Sequence, residues 1–401
     1  MSFKSGVALR PKVAGLPRFY ASVSTIQEKL GQIDTSFARP DLKTSENGPI
    51  SDPACLDAAQ RIQRIYVPVS PSVCPSGICG ISYIHWPAVG SVKSSVPLIL
   101  IHGFDSSCLE FRRIGPKLSQ LGIDTYAVDL LGWGFTQLNS KSLDPTDDTR
   151  ILSFSAEAKL NALVGFCNVV GKGRPLCIGG ASLGGGAAIE LCTLLANSPD
   201  PSLKNIVKGL CLIDAQGFVD GVGPMANFPK PVAELGIQVL KSYQLRNVAN
   251  QMSYFDKEQF ATDDALRIGR LHCTRDGWED ALLSFMMSGG FSPSQKVSQV
   301  TVPTLILWGR NDIILEKDFP QKFLDLIPNS QLEWIENCGH VPHLEKSDET
   351  AQAIASFLQS KIGTTPTVVS SSAETAVSFI WGIGASAAIA SAVANSGVLS
   401  Q

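Results

Sequence analysis

A serine stands inside a run of glycines in the stretch CIGGASLGGGAAIELC, residues 177–192. Ser182 lies between Gly180 and Gly184, which gives the pattern G-x-S-x-G. The residues before it are typical of a buried strand and those after it of a helix. A serine on such a strand-to-helix turn stands clear of the backbone, and small neighbours let strand and helix approach each other. The pattern predicts a nucleophile, with a simple helix N-cap as the alternative.

Two further residues could activate this serine. A nucleophilic serine needs a base, and the base needs an acid that orients it. His340 follows one predicted strand in IENCGHVPH, and Asp312 follows the strand before it in LILWGRND. We therefore predict Ser182, Asp312 and His340 as the catalytic residues. Asp214, at the end of the strand after the nucleophile helix, is the alternative acid.

A fourth element could bind the oxygen of a tetrahedral intermediate. The segment LILIHGFDSS places His102, Gly103 and Phe104 directly after a buried strand. The backbone N–H groups of Phe104 and Leu183 are predicted to form an oxyanion hole, which stabilises negative charge on that oxygen. His102 is expected to hold this loop by hydrogen bonding rather than to transfer a proton.

The elements that would position these residues alternate along the chain. Eight predicted strands are separated by helical segments from about residue 61 to residue 361, and this alternation indicates an α/β fold. We expect a mostly parallel sheet of eight strands with helices on both faces. The alternation of strands and helices stops after residue 217, where helical patterns follow without a strong strand. This indicates an inserted helical cap. The predicted division of the chain is residues 1–50 as a leader, 61–217 as the first part of the core, 218–297 as the cap, 298–362 as the second part of the core and 363–401 as a linker and apolar tail.

The four motifs together resemble those of the α/β-hydrolase superfamily, in particular its members with a cap. HGF stands at 102–104, G-x-S-x-G at 180–184, WGxxD at 308–312 and GHxxHxE at 339–345. The segment IGRLHCTRDGWEDALLSFMMSGGF also resembles plant and algal members that are regarded as plastid proteins. The resemblance implies an α/β-hydrolase fold and a serine nucleophile. It does not separate esterases and lipases from C–C bond hydrolases.

The composition excludes some classes of protein. The net charge of −3 comes from mixed acids and bases, without a basic block that could follow a nucleic acid backbone. Scattered cysteines in apolar runs, and no Cys or His pairs with zinc-site spacing, predict neither a metal nor a cofactor. Cys74 and Cys79 flank a short Pro/Gly segment, and unlinked thiols are favoured there over a disulfide.

Both termini differ from the core in composition. Residues 1–27 hold four basic residues and several serines, with no acid before Glu28, which favours an organellar transit peptide over a flexible tail. A plastid is the predicted compartment, with a mitochondrion or the cytoplasm as alternatives. Residues 376–394 carry no charge and are long enough to cross a bilayer, yet their many small residues make insertion weak. Membrane association through this segment is therefore an expectation, with a loose tail as the alternative.

Together these features predict a serine hydrolase that cleaves a carboxylic ester, or a related acyl bond, of a hydrophobic small molecule or lipid. The aromatic and apolar content of the predicted cap favours such a substrate. The alternatives are an acyltransferase on the same triad, a C–C bond hydrolase and a ligand-binding receptor on a hydrolase scaffold.

Overall fold

The computed structural model describes residues 28–43, 48–89, 94, 96–139, 148–223 and 228–363. Its centre is one sheet of eight strands in the order β1-β2-β4-β3-β5-β6-β7-β8. β2 runs antiparallel to both of its neighbours, and the other neighbouring strands are parallel. The strands are β1 (Gln63–Pro68), β2 (Ile78–Trp86), β3 (Leu98–Ile101), β4 (Thr125–Val128), β5 (Leu176–Ala181), β6 (Val207–Ile213), β7 (Thr304–Gly309) and β8 (Ser330–Ile335). The predicted fold class is confirmed.

Helices cover both faces of this sheet, as the continuous apolar strands require. The side chains of β3 show why, because Ile99 and Ile101 enter one core while Leu98 and Leu100 enter the other. The helices are α1 (Pro53–Gln60), α2 (Ile114–Gln120), α3 (Ala156–Gly171), α4 (Leu183–Ala196), α5 (Lys230–Lys241), α6 (Tyr243–Ser253), α7 (Lys257–Phe260), α8 (Asp263–Arg270), α9 (Trp278–Met287), α10 (Phe319–Leu326), α11 (Pro342–Glu345) and α12 (Ser347–Phe357).

Helices α5 to α9 lie between β6 and β7, within the stretch predicted as a cap. We call residues 218–297 the inserted segment. The helical pattern of residues 232–251 forms parts of two helices, α5 and α6, because Ser242 leaves the helical conformation with ψ 143° and its side chain accepts a hydrogen bond from the backbone N–H of Leu245. The division into domains stays a prediction.

The stretch between β3 and β4 contains a 3-10 turn, Cys108–Phe111, and then α2. The N-cap of α3 is Ser155, whose hydroxyl accepts from Ala158 N–H at 3.2 Å.

Cys74 and Cys79 are buried thiols that are not joined by a disulfide. Among the helices in the described ranges, none combines the length and the hydropathy needed to cross a membrane. The predicted leader at 1–27 and the apolar stretch at 376–394 lie outside the described residues.

Candidate active site

Ser182 occupies the turn between β5 and α4 with φ 51° and ψ −123°. This backbone conformation is rare for a residue with a side chain, and such strain gathers at functional sites. Backbone hydrogen bonds hold this turn. Ser182 N–H donates to Ile213 C=O of β6 at 3.0 Å, and Ser182 C=O accepts from Gly185 N–H and Gln216 N–H. The side chain remains partly exposed and borders a cavity.

The glycines on either side of Ser182 are required by close approaches of the backbone. A Cβ on Gly180 would collide with the carbonyl of Gly184, and a Cβ on Gly184 would collide with the carbonyls of Ile101 and His102. The start of α4 can therefore lie against β5 and the end of β3 only if these residues have no side chain. This is the geometry that the G-x-S-x-G pattern predicted.

His340 and Asp312 form a buried pair. His340 Nδ1 lies 2.9 Å from Asp312 Oδ2, and the other oxygen, Oδ1, accepts from Ile314 N–H at 2.7 Å and Leu315 N–H at 3.3 Å. Burial would raise the pKa of Asp312, but the hydrogen bond and the charge of His340 lower it below the ordinary value. Asp312 is thus a carboxylate that can orient the imidazole.

Asp214, the alternative acid, lies directly beside this pair and is fully buried. Its Oδ1 accepts from Gly309 N–H at 3.0 Å. Burial and the neighbouring carboxylate of Asp312 raise the pKa of Asp214 well above its ordinary value, because two adjacent carboxylates cannot both ionise readily. The raised pKa favours the protonated form of Asp214, and the carboxylate that bonds His340 Nδ1 is that of Asp312.

The loop after β3 reaches Ser182. A Cβ built on Gly103 would lie 3.4 Å from Ser182 Cβ, so this loop runs alongside the serine. His102 fixes the loop, with Nδ1 2.9 Å from Gly103 C=O and Nε2 3.0 Å from Leu130 N–H. Burial lowers the pKa of His102, which keeps the ring neutral and able to accept at Nε2. Phe104 follows Gly103 and borders the cavity, and Leu183 is the first residue of α4.

The cavity beside Ser182 has a volume of about 400 Å³ and lies between the sheet loops and the inserted segment. Ser182, His340 and Phe104 border it from the sheet. Its apolar walls include Leu266 and Ile268 from α8. Ligand sites of enzymes commonly combine such apolar walls with a few converging polar groups.

A model of the alpha/beta hydrolase family matches residues 98–353. A curated plant relative, the alpha/beta hydrolase domain-containing protein VTE7 of Arabidopsis thaliana, is 33% identical over 318 residues, which cover 78% of this chain and 88% of the relative. This chain belongs to the α/β-hydrolase family. Lipase 1 of Psychrobacter immobilis is 27% identical over 271 residues, covering 65% of this chain and 76% of the lipase.

Among solved structures, the fold of this hydrolase is similar to that of a serine hydrolase involved in carbazole degradation, the CarC enzyme. The TM-score is 0.55 at 22% identity, and the match covers 74% of this chain and 98% of that one. At this identity the similarity concerns the fold alone.

Two residues near this site were not assigned a role from the sequence. Glu110 is partly buried and borders the cavity; its Oε2 accepts from Gly103 N–H at 3.1 Å, and its Oε1 lies 3.1 Å from His343 Nε2. Burial would raise the pKa of Glu110, but its close contact with His343 lowers it to about 2. A carboxylate held by a histidine thus fixes the position of Gly103.

Glu345 holds the histidine loop in a comparable way. Its carboxylate accepts from Gly339 N–H at 2.8 Å, and also from Phe255 N–H at 3.1 Å and Asp256 N–H at 2.7 Å. The last two residues belong to the inserted segment. Glu345 stands within the GHxxHxE motif, so its motif position could have indicated a role, but its partners lie 89 and 90 residues away in the chain.

Among the described residues, two groups of side chains bring metal-type donor atoms within 4.8 Å of one another: Asp214 with Asp312 and His340, and Asp105 with His272 and Cys273. In both groups a carboxylate and a histidine bond each other, at 2.9 Å and 3.0 Å. We interpret both groups as hydrogen-bonded networks.

Proposed function

We propose that this protein is a serine hydrolase that cleaves a carboxylic ester, or a related acyl bond, of a hydrophobic small molecule or lipid. The observation that carries the proposal is the arrangement around one cavity of a strained, accessible Ser182 and of His340 bonded to Asp312. Membership of the α/β-hydrolase family and the likeness to a lipase support hydrolysis.

The reaction follows from the roles of these groups. His340 takes the proton of the Ser182 hydroxyl while Oγ bonds to the substrate carbonyl carbon, and the carbonyl oxygen becomes an oxyanion held by the N–H groups of Phe104 and Leu183. His340 then gives that proton to the leaving alcohol as the C–O bond breaks. Water, deprotonated by the same histidine, attacks the acyl-enzyme, and the acid product leaves as Ser182 regains its proton.

The apolar side chains that line the cavity favour a substrate whose acyl or alcohol group is apolar. Cavity residues from the inserted segment include Ala265, Leu266 and Ile268, and Leu344 adds a further apolar side chain from the sheet side. Burial of each methylene of a ligand in such surroundings contributes about 0.8 kcal/mol. Affinity should therefore rise with chain length until the cavity of about 400 Å³ is filled.

A series of p-nitrophenyl esters from acetate to palmitate tests this proposal. We expect kcat/KM to rise from acetate to a medium chain, with wild type labelled by a fluorophosphonate probe and Ser182→Ala unlabelled. Esters left intact by a labelled wild type would overturn the ester assignment. Adding methanol at a low concentration separates hydrolysis from acyl transfer, because a transferase forms methyl ester in place of acid even when water is in large molar excess.

We also propose a plastid as the compartment of this hydrolase, and association of its residues 376–394 with a membrane. Support for the plastid comes from the composition of residues 1–27 and from the similarity to a plant relative. A fusion of residues 1–60 to a fluorescent protein tests it in leaf cells. Fluorescence that coincides with chlorophyll is expected, and a mitochondrial or cytoplasmic pattern would contradict the proposal.

A further inference from the structure

Asp105 is a buried carboxylate in the loop that carries the predicted oxyanion donor. It follows Phe104 directly, its side chain is fully buried, and its φ of 44° is unusual for a residue with a side chain. A backbone conformation of this kind persists only where surrounding contacts impose it. The contacts of Asp105 should therefore also determine where the Phe104 N–H points.

Within the part of the chain that the structure describes, the side chains that bond the Asp105 carboxylate all come from the inserted segment. Oδ1 accepts from Trp278 Nε1–H at 2.9 Å and lies 3.0 Å from His272 Nε2, and Oδ2 bonds Arg246 Nη2. Arg246 Nη1 also donates to the Asp105 carbonyl at 3.4 Å. The loop is thus bonded to α6, to α9 and to the 3-10 turn between α8 and α9.

The charges of this cluster make its bonds strong. Burial would raise the pKa of Asp105, but Arg246 and His272 lower it below its ordinary value. Burial would lower the pKa of His272, but Cys273 and Asp105 raise it to about 10. The Asp105 carboxylate therefore meets the Arg246 guanidinium, and hydrogen bonds in which a partner is ionised are about twice as strong as neutral ones.

The opposite side of the loop is held by the sheet. Gly103 N–H donates to Glu110, and the Phe104 ring packs edge-on against Trp133 at 5.4 Å between ring centres. Phe104 thus stands between Gly103, which the core fixes, and Asp105, which the inserted segment fixes.

Helix α6 contacts the histidine loop as well. Arg246 near its start bonds Asp105, and the carbonyl of its last residue, Ser253, accepts from His340 N–H at 2.8 Å. One helix therefore spans from the oxyanion loop to the loop of the predicted base.

We propose that docking of the inserted segment completes the oxyanion hole, and that Asp105 is the positioning residue through which Trp278, His272 and Arg246 set the Phe104 amide. The inference rests on the proposed serine hydrolase function. It predicts that loosening this contact lowers transition-state stabilisation and leaves binding of the ground-state ester almost unchanged.

Trp278→Phe tests the contact, because it removes one donor to Asp105, keeps an aromatic ring, and alters a residue that does not border the cavity. We expect kcat on a soluble ester to fall about tenfold with KM nearly constant. Inhibition by a trifluoromethyl ketone, whose adduct places an oxyanion in the hole, should weaken by the same factor. His272→Leu should act similarly, and His272→Gln, which retains a donor, should recover part of the loss.

Asp264→Asn is the matched control. Asp264 also ties the inserted segment to the core, since its Oδ2 accepts from Ser51 N–H and Ser51 Oγ–H, but it does so away from the oxyanion loop. Its kcat and its inhibition constant should stay within about twofold of wild type. Equal losses in Asp264→Asn and Trp278→Phe, or a Trp278→Phe effect on KM alone, would overturn the proposal.

Hydrogen exchange separates this inference from the proposed function. Exchange in a peptide covering residues 101–111 should accelerate in Trp278→Phe and not in Asp264→Asn, whether or not an ester is turned over. Unchanged exchange in Trp278→Phe would reject the positioning role even in an active enzyme. If exchange accelerates in Trp278→Phe but the folded wild-type protein hydrolyses no ester, the serine hydrolase assignment is rejected instead.

Discussion

Backbone strain marks the residues of this site. Asp105, Ser182, Asp214 and Asn337 all have positive φ, between 39° and 51°, and all follow the carboxyl ends of sheet strands. Open α/β sheets bind ligands at this edge, and strain is retained there when surrounding contacts compensate for it. The same edge holds the cavity and the His340–Asp312 pair.

Ser182→Ala should abolish ester hydrolysis and leave the fold intact. The change removes one partly exposed hydroxyl, so little packing is lost, whereas the nucleophile is lost entirely. We expect kcat to fall by at least about 10³-fold, with the thermal midpoint nearly unchanged. Turnover equal to that of wild type would show that another group attacks the substrate.

The two neighbouring aspartates should respond differently to replacement by asparagine. Asp312→Asn removes the acceptor that selects the His340 tautomer and should lower kcat by about 10³- to 10⁴-fold. Asp214→Asn mimics the protonated acid and should keep kcat within a few-fold of wild type. A larger catalytic loss in Asp214→Asn would reassign the acid to Asp214.

Stability against pH provides a second measure for Asp214. A carboxyl whose pKa is raised by folding binds its proton more tightly in the native state, so stability falls as pH rises above the unfolded value near 3.8. Asp214→Asn removes this pH-dependent contribution to stability, because asparagine does not titrate. Urea unfolding from pH 4 to pH 8 should therefore show a smaller decline for Asp214→Asn than for wild type, and parallel curves would contradict a raised pKa.

At the scale of elements, the strand–turn–helix unit around Ser182 depends on glycines, because a Cβ atom at these positions would collide with the backbone. Gly184→Ala would drive a methyl group into the carbonyls of Ile101 and His102, so α4 would have to shift away from β3. We expect a loss of about 1–3 kcal/mol in stability, together with a large loss of activity. Chemical denaturation and ester turnover measure both effects.

Gly171→Ala is the matched control in a neighbouring helix. A Cβ there would lie 3.4 Å from the Leu176 side chain and 3.5 Å from Ile206, which are ordinary contacts. Stability should stay equal or rise by up to about 1 kcal/mol, because alanine is the better helix former. If Gly171→Ala lowered stability as much as Gly184→Ala, the effect would be a general one of replacing glycine in a helix, not one specific to the turn at Ser182.

The sequence predicts the elements of the site better than the contacts between them. G-x-S-x-G, Asp312 and His340 could be found because each stands beside its own strand, and a strand-to-loop transition is a local pattern. Arg246, His272 and Trp278 lie 141 to 173 residues from Asp105, and nothing local distinguishes them from ordinary helix residues. The structure brings all three to one carboxylate.

At the scale of the whole molecule, the hydrolase core closes with the last described turn. Leu358 is 1% exposed, and the side chain of Ile362 packs over Gly209 of β6. Packing therefore continues through residue 362, and a chain shortened within this turn would expose β6. Residues 364–401 follow this point in the sequence.

Removal of residues 364–401 should separate catalysis from membrane binding. A chain ending at Gly363 keeps Leu358 and Ile362, so turnover of a soluble ester and the thermal midpoint should match those of the full chain. Flotation with lipid vesicles should recover the full chain with the lipid and leave the shortened chain in the aqueous fraction, because the uncharged stretch at 376–394 is gone. A chain ending at Phe357 is the control for folding and should unfold at a lower temperature. A full chain that fails to float would reject membrane association through 376–394, and loss of folding in the Gly363 chain would show that the removed residues pack on the core.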